Sequence, residues 1–253
     1  GAEYLPLRQG LLRGDPAASV RTGRLVGPTL MRRLRNSFVL AGDAFRFILP
    51  SALLLRLLAG PRAAGVGDRI ISLFSLITTS VPEFASGVFL ILVFAFWLEW
   101  LPGAAIFTSD VAPWREPEKL VLPVLMLTLV EVGYVARMTR ASMVEVMNAP
   151  YIRTAHLKGL PNRRIVFRHA LRNALMAPIT VIMLHVNWLV GGIVVVESVF
   201  GYPGLGMYIL DSALFKDVFA IEAAAMVMVA LAVSTQLIAD VIYTFLNPRI
   251  RYT

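Results

Sequence analysis

The residues able to do chemistry in this sequence fall into three groups. Glu83, Glu131 and His185, with Asn187 beside the last, are polar or ionisable side chains inside long apolar runs. A basic interval extends from Glu145 to Asn173, and a glycine- and proline-rich segment begins at Glu197. None of these has catalytic spacing. There is no GxSxG, no HExxH and no GxxxxGK[ST] phosphate loop. The absence of cysteine removes disulfides, thiolate metal ligands and Cys nucleophiles. His156, His169 and His185 are not spaced as metal ligands, so no metal site and no enzyme is predicted. An ionisable group in an apolar run is by default a functional candidate, which makes Glu83, Glu131, His185 and Asn187 candidates for lining a solute pathway. The plainer readings stand beside it: Glu83 satisfied by a neighbouring subunit, His185 a hydrogen-bonded packing residue.

The elements that position these residues are membrane-spanning helices. Hydrophobic residues make up 57% of the 253 and charged residues 16%, with a mean hydropathy of +0.71, far from the balance of a soluble domain. The net charge of +8 sits between apolar blocks, which fits cytoplasmic loops and anionic lipid better than nucleic acid. Apolar blocks at 38–59, 70–101, 120–136, 175–196 and 219–246 predict an all-α, polytopic helix bundle with about five spans. The first carries Asp43, Arg46 and Arg56, so an interfacial helix is its alternative. The second is too long for one straight span and either projects from the bilayer or bends at Pro82. Breakers Gly14, Pro16, Gly23, Gly27 and Pro28 make residues 1–35 an irregular N-terminal segment, with more arginine than an external segment usually holds.

Arginine and lysine asymmetry orients the bundle. Arg137, Arg140, Arg153, Lys158, Arg163, Arg164, Arg168 and Arg172 place the interval 137–173 inside, and the lightly charged segments 102–118 and 197–217 outside. Within the inner loop, Tyr151 to Lys158 is helix-forming after Pro150, and Gly159 with Pro161 stops it after about two turns. Such a helix is too short to cross a bilayer and suits a groove on another protein.

The run Tyr151, Ile152, Arg153, Thr154, Ala155, then Lys158, Gly159, Leu160, and then RHALRNA from Arg168 resembles the EAA loop of binding-protein-dependent ABC importers. The Arg-Thr-Ala variant is similar to the dipeptide/oligopeptide/nickel permease branch. The segment ESVFGYPGLG, with Glu197, Phe200, Pro203, Gly204 and Gly206, is similar to that family's external E-x-x-F-x-x-P-G-L-G element, and SVPEF around Glu83 resembles a further family feature.

The resemblance implies an external N-terminal segment over 1–35 and a type I ABC importer transmembrane domain over 36–253, with the first of the family's six spanning helices having no counterpart in this sequence. It implies a permease subunit forming half of the pathway for peptides or similar small solutes in a bacterial inner membrane. Tyr151, Ile152, Arg153, Thr154, Ala155, His156, Lys158, Gly159, Leu160, Arg168 and Arg172 would couple it to ATP hydrolysis. ATP and Mg would lie on two ATP-binding partner subunits, with no cofactor in this chain. A second homologous permease and an extracytoplasmic solute-binding protein docking near Glu197–Gly206 complete the implied assembly. A secondary transporter or channel not driven by ATP is the alternative, although no internal repeat is visible.

Overall fold

Every regular element among residues 25–59, 65–107, 112–174 and 193–246, which the computed structural model describes, is a helix. Helix α1 runs from Val26 to Ala59, so residues 26–35, read as irregular from their breakers, are helical. Gly27 and Pro28 fall in its first turn, where the missing proline N–H would have no intrahelical partner in any case. Pro50 lies in the interior of α1, and the Ser51 hydroxyl donates to the carbonyls of Phe47 and Ile48 beside it.

The long apolar run divides as the proline suggests. Helix α2, Val66–Ser80, ends at an extended Val81 (φ −81°, ψ 130°), as the residue before a proline prefers. Helix α3 begins at Glu83 and winds into wider π-helical turns over Ile91–Trp97. After a 3-10 turn at Pro113–Arg115, α4 runs unbroken from Glu118 to Met147, carrying the inner extension through Arg137 and Arg140. The short helix α5 is Pro150–Leu157. Helix α6 follows, Asn162–Arg164, with π-helical turns over Ile165–Ala170 and a last turn at Leu171–Ala174. Helices α7, Ile193–Phe200, α8, Leu205–Leu214, and α9, Val218–Leu246, complete the described chain.

Among the described residues, α4 and the Val218–Ile238 part of α9 are each long and apolar enough to cross a membrane. Counting α2 with α3, and α7 with α8, as one broken span each brings the number to four. Helix α1, with Asp43 and Arg46 in its middle, is not among them, and the expected span 175–196, which holds His185 and Asn187, lies almost wholly outside the described residues.

The helices belong to two compact units. The first draws on Gly1–Ala44, Glu83–Leu127 and Trp188–Ser234. Its core joins Val26 and Leu30 of α1 to Leu205 of α8 and to Ala223 and Ala224 of α9. The second draws on Phe45–Pro82, Thr128–Asn187 and Thr235–Thr253. Its core joins Met143 of α4 to Ile152 and Ala155 of α5 and to Ile165, Ala170 and Ala174 of α6.

Candidate functional site

Helix α5 is built by local signals at both ends. Ala149 is extended and Pro150 opens the helix at a position where proline's fixed φ is already helical. At the other end Gly159 has φ +72°. The Gly159 N–H donates to the His156 carbonyl at 2.9 Å and the Leu160 N–H to the Ala155 carbonyl at 3.4 Å. This pair of bonds is the Schellman arrangement, which needs a left-handed residue where the glycine stands. A Cβ on Gly159 would meet nothing within 4 Å. Backbone conformation, not space, is what demands glycine there.

The two faces of α5 differ in kind. Ile152 and Ala155 are buried against Met143, Ile165 and Ala170, with Leu160 packed onto the same cluster. Burying a side chain such as Ile152 is worth about 1.5–3 kcal/mol, so this face fixes α5 to α4 and α6. Tyr151, Arg153, Thr154, His156, Lys158 and Gly159 are exposed, as is Arg168 on α6. Asn173 Nδ2 donates to the Tyr151 hydroxyl at 2.9 Å, tying the start of α5 to the end of α6. The predicted coupling residues therefore divide into an inward pair that anchors the helix and an outward set that presents it. The side chain of Arg172 lies outside the described residues. Leu157, not among the residues that the resemblance selects, is 83% exposed on the same outward face. Its signal was an apolar residue five positions after Ile152, about 140° around the helix from the buried side.

The segment at Glu197 folds as an internal clamp. Glu197 is fully buried at the end of α7. It accepts a hydrogen bond from the Ser37 hydroxyl on Oε1 and one from the Met207 N–H on Oε2 at 2.9 Å. Ser37 in turn accepts the Leu205 N–H at 2.8 Å. One carboxylate and one hydroxyl thereby satisfy open amides at the N-terminus of α8, where negative charge is favoured. The Asn36 side chain donates through Nδ2 to the Pro203 carbonyl at 2.9 Å, and the Asn36 backbone carbonyl accepts the Tyr202 hydroxyl at 2.7 Å.

The glycines of this segment make the clamp possible. Gly201 turns the chain at φ +66°, Gly204 leaves room for the Glu197 carboxylate, and a Cβ on Gly206 would come 2.6 Å from Val194 Cα. Phe200 is buried, and Pro203 is half-buried. The structure thus brings Glu197, Gly204 and Gly206 together and adds Ser37 and Asn36, which no local pattern singles out.

Of the polar residues in the apolar runs, Glu131 is buried in α4, and Glu83 is half-buried in the first turn of α3. No group of three metal-ligating side chains occurs among the described residues.

Residues 52–252 match the family described as binding-protein-dependent transport system inner membrane component. The chain belongs to that family. This inner membrane component is 36% identical over 252 residues to the probable peptide ABC transporter permease of Sinorhizobium fredii, covering 99% of this chain and 80% of that one. It is 34% identical over 253 residues, with the same coverage, to the oligopeptide transport system permease protein AppB of Bacillus subtilis. In three dimensions it resembles a chain of the inward-facing MetNI methionine ABC transporter (TM-score 0.65, 18% identity), covering 86% of this chain and 94% of that one. The fold is that of a type I ABC importer transmembrane domain. The resemblance read from the EAA loop and from ESVFGYPGLG holds over nearly the whole of this chain, which spans 80% of the length of these two relatives.

Proposed function

We propose that this chain is one of two pore-forming subunits of a bacterial inner-membrane importer for peptides or solutes of similar size, and that α5 is the helix through which partner ATPases drive it. The observation that carries this reading is the division of α5. Its Ile152 and Ala155 face is sunk into a core shared with α4 and α6, while Tyr151, Arg153, Thr154, His156 and Leu157 face outward. A short helix anchored along one side transmits force as a rigid body, and its free side fits a groove. In this reading ATP and Mg are bound by the partner subunits.

The remaining parts follow the same logic. A solute-binding protein delivers cargo on the side of the ESVFGYPGLG segment. The buried clamp shapes the surface there, while exposed residues such as Leu214 and Phe215 are what a docking protein would touch. Exposed apolar side chains on α2, α3 and α9, among them Ile70, Phe89, Phe96, Val229 and Leu237, face lipid or the second permease subunit. Glu83 and Glu131 are the described candidates for the pathway.

Purification of the assembly through a tag on this chain tests the reading. Co-isolation of two ATPase subunits and a different permease is the expected result, with α5 cross-linking to an ATPase. An α5 that cross-links to no protein would end it.

A further inference from the structure

The described interface between α2 and α4 is uneven along its length. Asp68 near the start of α2 meets Arg140, and Ser75 and Thr78 meet Gly133, so the two helices run antiparallel. At Gly133 they touch so closely that a Cβ would collide with the Thr78 hydroxyl and lie 3.2 Å from the Ser75 carbonyl. Beside that contact, one turn further along α4, the packing opens into a cavity of about 110 Å³ lined by Asp68, Ser72, Ser75, Ala136, Arg137 and Arg140, which reaches as far as Arg140, seven residues and about 10 Å from Gly133. The hydroxyls of Ser72 and Ser75 are buried there without a protein partner. What bridges the helices at this end is Arg140 Nε, which donates to both carboxylate oxygens of Asp68 at 3.0 and 3.1 Å. Asp68 is buried, whereas the Arg140 side chain is 43% exposed.

We propose that Gly133 against Thr78 is the pivot, and Asp68 with Arg140 the latch, of a hinge that passes movement of α5 to α2. The inference rests on the coupling role given to α5. Met143, one helical turn beyond Arg140, is sunk in the same core as Ile152 and Ala155, so a displacement of α5 reaches Arg140 through a single rigid turn of α4. A tight contact at one end and a loosely filled gap at the other let two helices splay without emptying a packed core. An ion pair between a buried carboxylate and a half-exposed guanidinium can release into water on the arginine side. Asp68 and Arg140 are therefore positioning residues that set how firmly α2 follows the coupling helix.

The test uses the importer purified through a tag on this chain and reconstituted into proteoliposomes. Asp68→Asn and Arg140→Gln are each expected to raise ATP hydrolysis in the absence of solute about fivefold, because the membrane part then yields to α5 at lower cost. Exchanging the charges, Asp68→Arg with Arg140→Asp, is expected to return the rate to within about twofold of the parent.

A second readout does not depend on turnover. The 253 residues contain no cysteine, so Ser72→Cys with Ala136→Cys sets one pair of thiols on the cavity walls. Their rate of oxidative cross-linking is expected to differ about fivefold between nucleotide-free and ATP–vanadate-trapped complexes. Equal cross-linking in the two states, or parental hydrolysis by Asp68→Asn, overturns the hinge and leaves the importer reading standing. A parent chain that purifies with no ATPase overturns both.

Discussion

The Glu197 carboxylate occupies the space that any side chain at Gly204 would need: a Cβ built on Gly204 lands inside the carboxyl group. The glycine and the acid are two halves of one device, since the carboxylate reaches the Met207 amide and the Ser37 hydroxyl only because position 204 is bare.

Gly204→Ala is therefore expected to lower the stability of the purified complex by about 3 kcal/mol or more, through lost amide bonds and overpacking together. Glu197→Gln keeps the shape but turns an NH2 group toward a donor, and is expected to cost about 1–3 kcal/mol. Thermal unfolding in detergent measures both, and an unshifted midpoint for Gly204→Ala would show that the clamp does not hold α8.

At Gly159 the expected cost is conformational. Gly159→Val forces a β-branched residue to φ +72°, at about 1–2 kcal/mol or more, and frays the end of α5. Solute uptake is expected to fall at least tenfold with ATP hydrolysis retained, while Gly159→Asn, which tolerates the left-handed region, stays closer to the parent. Uptake by Gly159→Val at parental level, at matched expression, would count against a rigid lever.

The two faces of α5 are expected to respond differently. Leu157→Asp and Arg153→Glu leave the core untouched and are expected to weaken ATPase recruitment about tenfold each, read by co-purification. Ile152→Ala empties a buried site and is expected to cost about 2–4 kcal/mol of stability before it affects recruitment. Recruitment insensitive to both outward changes would move the interface elsewhere.

Glu131→Gln and Glu83→Gln separate a pathway role from packing. A group that meets the solute changes KM or the maximal rate of labelled oligopeptide uptake, with about tenfold expected for at least one of the two. Identical kinetics for both variants would make them structural.

What was legible in the sequence was what neighbouring residues decide. Pro150 and Gly159 mark the limits of α5 because a fixed φ and a positive φ are properties of single residues, and the bend at Pro82 follows from the same kind of constraint. The start of α1 departs from the irregular segment expected there for a related reason. Gly27 and Pro28 break a helix in its interior but not in its first turn, and nothing local says which position they hold. The clamp was invisible because Ser37 and Glu197 are 160 residues apart, and Asp68 lies 72 residues from Arg140. Alternation of apolar and polar residues says that a face is buried, not which distant atom meets it. A family motif therefore pointed to Glu197 without revealing that its carboxylate turns inward.

The π-helical stretches at Ile91–Trp97 and Ile165–Ala170 bear on how this chain tolerates changes in length. A wide turn absorbs one residue more than an α-helix would hold, without interrupting the rod. Loss of one codon inside either stretch would relax it to ordinary pitch and leave the flanking segments in their places. The same deletion in the middle of α4 would swing everything downstream by about 100°, carrying Arg140 away from Asp68 and Met143 out of its core. Natural variation in length should accordingly gather at these two coils and spare the rod that leads to α5.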